Sequence, residues 1–138
     1  PSLDVDGWDA ANKLVTVANA VLDRPTTLAD VAVRGIRGVT GDEARAAAAA
    51  GGRLSLLATA EATDGAGGAG ADYRLTVAPV ALAPDHPLAR LGLDEMGIVY
   101  HTDIYGRLTV TSAGQGPRGA AAAMLRDVID IAGRGAAG

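Results

Sequence analysis

No cysteine occurs in this chain, so neither a disulfide framework nor a thiolate metal site can be built from it. Phenylalanine is absent too, and the aromatics reduce to Trp8, Tyr73, Tyr100 and Tyr105. The core must therefore be assembled from Val, Leu, Ile and Ala. No uninterrupted apolar run approaches the ~18–20 residues that span a bilayer, and nothing at the amino terminus has the charged, apolar and small-residue parts of a signal peptide. A membrane is not expected as a partner, and a cytoplasmic setting is. Positive charge is scarce: 12 Lys and Arg stand against 16 Asp and Glu, for a net charge of -4. Without a clustered basic patch, nucleic acid is not expected as a partner either. Lysine itself is nearly missing, since Lys13 is the sole one beside eleven arginines. Arginine does not lose its proton under biological conditions, so a lone lysine suggests a position that wants an amine able to do so.

What is present describes a folded chain. Its 138 residues, 49% of them apolar and 20% charged, suit one domain with a single core, residues 1–138. Residues 1–6 read as a loop leading into a helix of about 14 residues, with Asp6 as N-cap and Asp9 in the first turn. Leu14, Val17, Ala18 and Val21 recur along it at i, i+3, i+4 and i+7, a core-facing stripe. Arg24-Pro25 ends that helix, residues 31–36 alternate like a strand, and residues 42–50 form a short alanine-rich helix closed by Gly51-Gly52. Residues 53–61 and 72–80 are strand-like runs either side of the glycine-rich stretch 64–70, and so predict an antiparallel hairpin. A second hairpin is expected from residues 97–102 and 107–111, turning at Asp103-Ile104-Tyr105-Gly106, where Asp first and Gly fourth suit a type I turn. A glycine-rich turn at 114–119 leads into a last helix, 120–132, with Leu125, Val128, Ile129 and Ala132 on one face. The order predicts an α+β fold: a mixed, largely antiparallel sheet covered on one face by helices.

Chemistry concentrates in Asp4-Val5-Asp6-Gly7-Trp8-Asp9-Ala10-Ala11-Asn12-Lys13. On a helix Asp9 and Lys13 share a face, where the carboxylate can hold and orient the ammonium. Asp4 lies just upstream and can fold over the same helix end. Such a trio could bind a zwitterionic substrate by its amino group while the amine hands a proton to a carbonyl oxygen. From spacing alone the plainer reading is favoured, an exposed i,i+4 salt bridge with acids that suit the helix dipole.

Two stretches match G-x-G-x-x-G. Gly65-Ala66-Gly67-Gly68-Ala69-Gly70 has strand-like runs on both sides and lacks the helix whose amino terminus would receive a pyrophosphate, so it reads as a hairpin loop. Gly114-Gln115-Gly116-Pro117-Arg118-Gly119 has a strand before and a helix after, but the nineteen residues that follow are too few to complete a self-contained dinucleotide unit. His86 and His101 lack metal-ligand spacing or a nearby nucleophile and read as structural or solvated. Trp8 reads as packing, Asp103 as a turn residue, and no metal site is expected.

Asp4, Gly7, Asp9 and Lys13, followed by the apolar run 14–20, resemble the homoserine dehydrogenase signature, in which an acid, a Gly-x-Asp pair and a Lys four residues later sit at the start of a helix. The resemblance continues through Thr27-Leu28-Ala29-Asp30-Val31, Arg34-Gly35-Ile36 and Tyr100-His101-Thr102-Asp103 with Gly106, and ends at the glycine turn before the last helix. It implies the substrate-binding and dimerisation part of an enzyme that interconverts L-homoserine and L-aspartate 4-semialdehyde with NAD(P), a branch-point step toward threonine and methionine. Lys13 would be the acid-base group at the substrate oxygen. Asp9 and Asp4 would bind and orient the substrate amine or Lys13 itself. Gly114 and Gly116 would lie near the nicotinamide, and the cofactor would be bound mainly by an amino-terminal Rossmann domain absent from this chain. A substrate-binding Glu and a Gly-Thr stretch of the family are expected before Pro1, so the chain alone is expected to be inactive. A homodimer is expected. The chain departs from the family's Gly-x-Gly-Ala-Gly turn, carrying Ser112-Ala113-Gly114-Gln115-Gly116, and has Ala120 where a Thr is common. These departures motivate a second reading, a non-catalytic binding or assembly module that shares the fold.

Overall fold

The computed structural model describes residues 2–63, 65, 67, 71–92, 94–113 and 117–135. The chain divides into two compact units, residues 1–89 and 90–138. In the first, a short helix α1 (Ser2–Val5) precedes α2 (Trp8–Val21), then come β1 (Val31–Val33), α3 (Gly41–Ala49), β2 (Arg53–Ala62) and β3 (Tyr73–Leu82). The second holds β4 (Glu95–Thr102), β5 (Gly106–Ala113) and α4 (Pro117–Gly135).

β3 is central to the first unit, parallel to β1 on one side and antiparallel to β2 on the other, so the sheet is mixed. Strand alternation assigns its faces. The register sets Leu75 beside Val31 and Ala60, and Val77 beside Val33 and Ala58, which puts all six on one face. α2 covers that face with Ala11, Leu14 and Ala18, and these with Val31, Leu75 and Val77 form the buried core. Small side chains on both layers let helix and sheet approach closely, which is how a chain without phenylalanine closes its core. On the opposite face Thr59 and Thr76 share a hydroxyl hydrogen bond at 2.6 Å and Arg74 lies 3.8 Å from Glu61, a polar patterning that leaves α2 a single side to cover.

The α+β class is borne out, as are both hairpins, while several boundaries differ. Residues 2–5 are helical rather than a loop, and the N-cap of α2 is Gly7 rather than Asp6. The chain turns between α1 and α2 through Gly7 in the left-handed region, at φ 85°. This corner sends the Asp6 carboxylate outward to Arg37 instead of over the helix end. The stripe of α2 runs through Ala11, Leu14 and Ala18, leaving Val21 exposed. β1 stops at Val33, since the Ile36 N–H turns away to the Val5 carbonyl at 2.8 Å. α3 begins one residue early behind a Thr40 cap, and α4 begins at Pro117, a residue preorganised for the first helical position. After α2, Asn19 ties the return loop down: its amide donates to the Val15 and Thr26 carbonyls at 2.9 and 3.0 Å, and its oxygen accepts from Thr26 N–H at 2.9 Å.

In the second unit β4 and β5 pair from Glu95 with Ala113 to Thr102 with Gly106. Gly106, at φ 64°, closes the turn. Thr102 Oγ1 accepts from Tyr105 N–H at 3.0 Å and donates to the Gly106 carbonyl at 3.1 Å.

Candidate active site at the start of helix α2

The expected pair is formed. Lys13 Nζ donates to Asp9 Oδ2 at 2.7 Å, one turn apart on α2, with the side chains 62% and 48% exposed. Helical spacing brings them together, and Asp9 in the first turn also favours the positive end of the helix dipole. The N-cap residue Gly7 has no side chain to cap that end. An ammonium held against a carboxylate, both open to solvent, can meet a polar small molecule and exchange a proton with it.

Asp4 lies on α1, across the Gly7 corner. Its carbonyl accepts from the Gly7 N–H at 3.1 Å, while the Asp6 N–H reaches back to Ser2 at 2.8 Å. The corner is seated on the segment after β1. A Cβ on Gly35 would lie 2.3 Å from the Val5 carbonyl oxygen and 2.6 Å from Asp6 Cα, and one on Gly7 would meet Val33 at 3.1 Å and Val77 at 3.3 Å. Arg37 grips Asp6 with two donors, Nε on Oδ1 and a terminal nitrogen on Oδ2 at 3.1 Å. The hydrogen bond from Arg37 holds the Asp6 carboxyl below its ordinary range and raises the guanidinium in turn. Spacing arguments missed Asp6 and Arg37 as partners, because 31 residues separate them and no periodic pattern links such positions.

The glycine expectations divide. Gly65 and Gly67 lie between the antiparallel strands β2 and β3, in a hairpin connection. Gly114 and Gly116 fall outside the described residues, though β5 ends just before them and α4 begins just after. Ala120 lies in the first turn of α4. His86 Nδ1 accepts from Leu88 N–H at 3.2 Å, a bond that shapes its own loop, and His101 lies exposed on β4 opposite Arg107. Asp103 accepts from Ile104 N–H at 2.8 Å within its turn. Trp8 is 41% exposed. An open groove of about 430 Å³ lies elsewhere in the first unit, among Ile36, Thr40, Ala44, Leu54, Leu56 and Pro79.

Fold and motif together define an α+β protein that presents an acid-paired lysine at the opening of its first long helix. A family model described as homoserine dehydrogenase matches residues 1–129, and the chain belongs to that family. It is 36% identical over 136 residues to a homoserine dehydrogenase of Synechocystis sp., covering 96% of this chain and 30% of that protein. It is 33% identical over 131 residues to an NAD(+)-dependent homoserine dehydrogenase of Pseudomonas canavaninivorans, covering 95% and 36%. Among solved structures, that of S. aureus homoserine dehydrogenase superposes with a TM-score of 0.80 at 27% identity, over 96% of this chain and 32% of that one. The chain thus spans about a third of the length of the curated relatives it matches.

Proposed function

We propose that the full-length protein interconverts L-homoserine and L-aspartate 4-semialdehyde with NAD(P), and that this chain supplies its substrate-binding and dimerisation part. The observation that carries the reading is the Lys13 ammonium held 2.7 Å from Asp9 within the stretch that the family model matches. Lys13 moves the proton at the substrate oxygen, Asp9 orients Lys13, and Asp4 and Asp9 receive the substrate amine, whose positive charge two carboxylates favour. The nicotinamide, when bound, supplies hydride chemistry; this chain's residues supply alignment and charge. Gly114 and Gly116 lie near it in this reading, and its binding falls mainly to a Rossmann domain outside the residues 1–138. The chain is a single substrate-binding and dimerisation domain, inactive alone. The full-length protein is a cytoplasmic homodimer acting toward threonine and methionine, with NAD or NADP as its acceptor.

The test is homoserine-dependent reduction of NAD and of NADP by the full-length protein. Turnover with at least one of them is expected. A second reading, a non-catalytic binding or assembly module, is favoured by Ala120 in the first turn of α4, where the family often carries Thr. Absence of turnover with both cofactors, in protein that still binds homoserine calorimetrically, would decide for it.

A further inference from the structure

We propose that the Asp6–Arg37 ion pair is a positioning device for the reaction assigned above, fixing the angle between α1, which carries Asp4, and α2, which carries Asp9 and Lys13. The inference rests on that assignment.

Asp4 stands two residues before Asp6, and Asp9 three after it. Between them lies Gly7, a left-handed corner with no side-chain cap, at a residue type whose backbone is the least restricted of all. The angle between the two helices therefore depends on what grips the corner from outside. Beside the packing of Gly7 against Val33 and Val77, three contacts among the described residues do so from the stretch after β1: the Ile36 N–H on the Val5 carbonyl, the close approach of Gly35 to Val5 and Asp6, and the two-donor grip of Arg37 on Asp6. The last is the only one of the three made by side chains, so it can be altered without changing the backbone.

Its magnitude argues for orientation rather than stability. Asp6 is 34% exposed and Arg37 65%, and ion pairs this open to water contribute little to folding. A planar guanidinium on a carboxylate nevertheless fixes direction as well as distance, which a single contact does not. Loss of the pair would let the corner swing while leaving the core of Leu14, Ala18, Leu75 and Val77 intact.

The experiment compares Asp6→Asn, Arg37→Gln and Arg37→Lys in the full-length protein, with Lys13→Ala alongside. Asp6→Asn and Arg37→Gln are expected to lower kcat for homoserine about tenfold, the scale of a sub-ångström misalignment, with the KM for NAD(P) and the melting temperature nearly unchanged. Arg37→Lys, which keeps the charge and loses the fork, should fall between Arg37→Gln and the unaltered protein. Unchanged kcat in both Asp6→Asn and Arg37→Gln would overturn the proposal, as would losses that merely track unfolding. Should Asp6→Asn fail to fold, the exposed Arg37 variants carry the test. The Lys13→Ala control separates the two failures: an inactive Lys13→Ala beside a fully active Arg37→Gln sinks only the positioning device, whereas an active Lys13→Ala sinks the site itself.

Discussion

At Gly35 the fold leaves no room for a side chain, because the nearest atoms are main-chain atoms of Val5 and Asp6. Backbone cannot rotate aside as a flexible side chain can, so Gly35→Ala must push the α1–α2 corner away from the end of β1. A cost of about 1–3 kcal/mol is expected, the usual range for overpacking, read by urea unfolding of the full-length protein. Gly38 provides the control: a Cβ there meets nothing within 4 Å, and Gly38→Ala should stay within about 0.5 kcal/mol. Equal effects at the two positions would contradict the packing described for the corner. Residues of this kind also mark the limit of sequence reading. The Asp9–Lys13 pair was legible because helical spacing converts a sequence interval into a distance. The Asp6–Arg37 pair and the tight seat of Gly35 depend on how β1 passes the corner, and Asp6 was misread as a cap because an acid before a helix ordinarily serves as one.

Among the elements, α3 shows how local chemistry sets a boundary. Thr40 Oγ1 accepts from the Glu43 N–H at 3.3 Å, while Glu43 Oε2 accepts from the Thr40 N–H at 2.7 Å and hydroxyl at 3.0 Å. This reciprocal cap starts the helix at Gly41. Thr40→Ala should cost about 1 kcal/mol at neutral pH in thermal or urea unfolding. The bonds from Thr40, the main-chain one first, hold the Glu43 carboxyl below its ordinary value, and those from Thr27 do the same for Asp30. A carboxyl lowered in the folded state stabilises above its unfolded pKa and loses that contribution as pH falls through the folded one. The penalty of Glu43→Ala should therefore be full at neutral pH and shrink as pH drops below about 4, the ordinary carboxyl range. A penalty independent of pH would refute the charge-assisted cap. The long, periodic elements α2, β2 and β3 were legible from sequence, whereas α1, four residues without a repeat of any period, was not.

On the scale of the whole molecule, α4 carries a run of exposed apolar side chains. Met124, Leu125, Val128, Ile129 and Ile131 are each at least 59% exposed, and Leu125, Val128 and Ile129 recur on one helical face as the sequence predicts for a covered surface. The family model and the superposition on a solved relative show the family and the α+β class, and the proposed chemistry turns on one claim, that the Lys13 amine handles the substrate proton. The most direct measurement is the turnover of full-length Lys13→Ala, at saturating homoserine and NAD(P), beside the unaltered protein. The account predicts a loss of at least ~100-fold, the contribution of a positioned acid-base group, with unchanged melting behaviour. Turnover equal to that of the unaltered protein would contradict it.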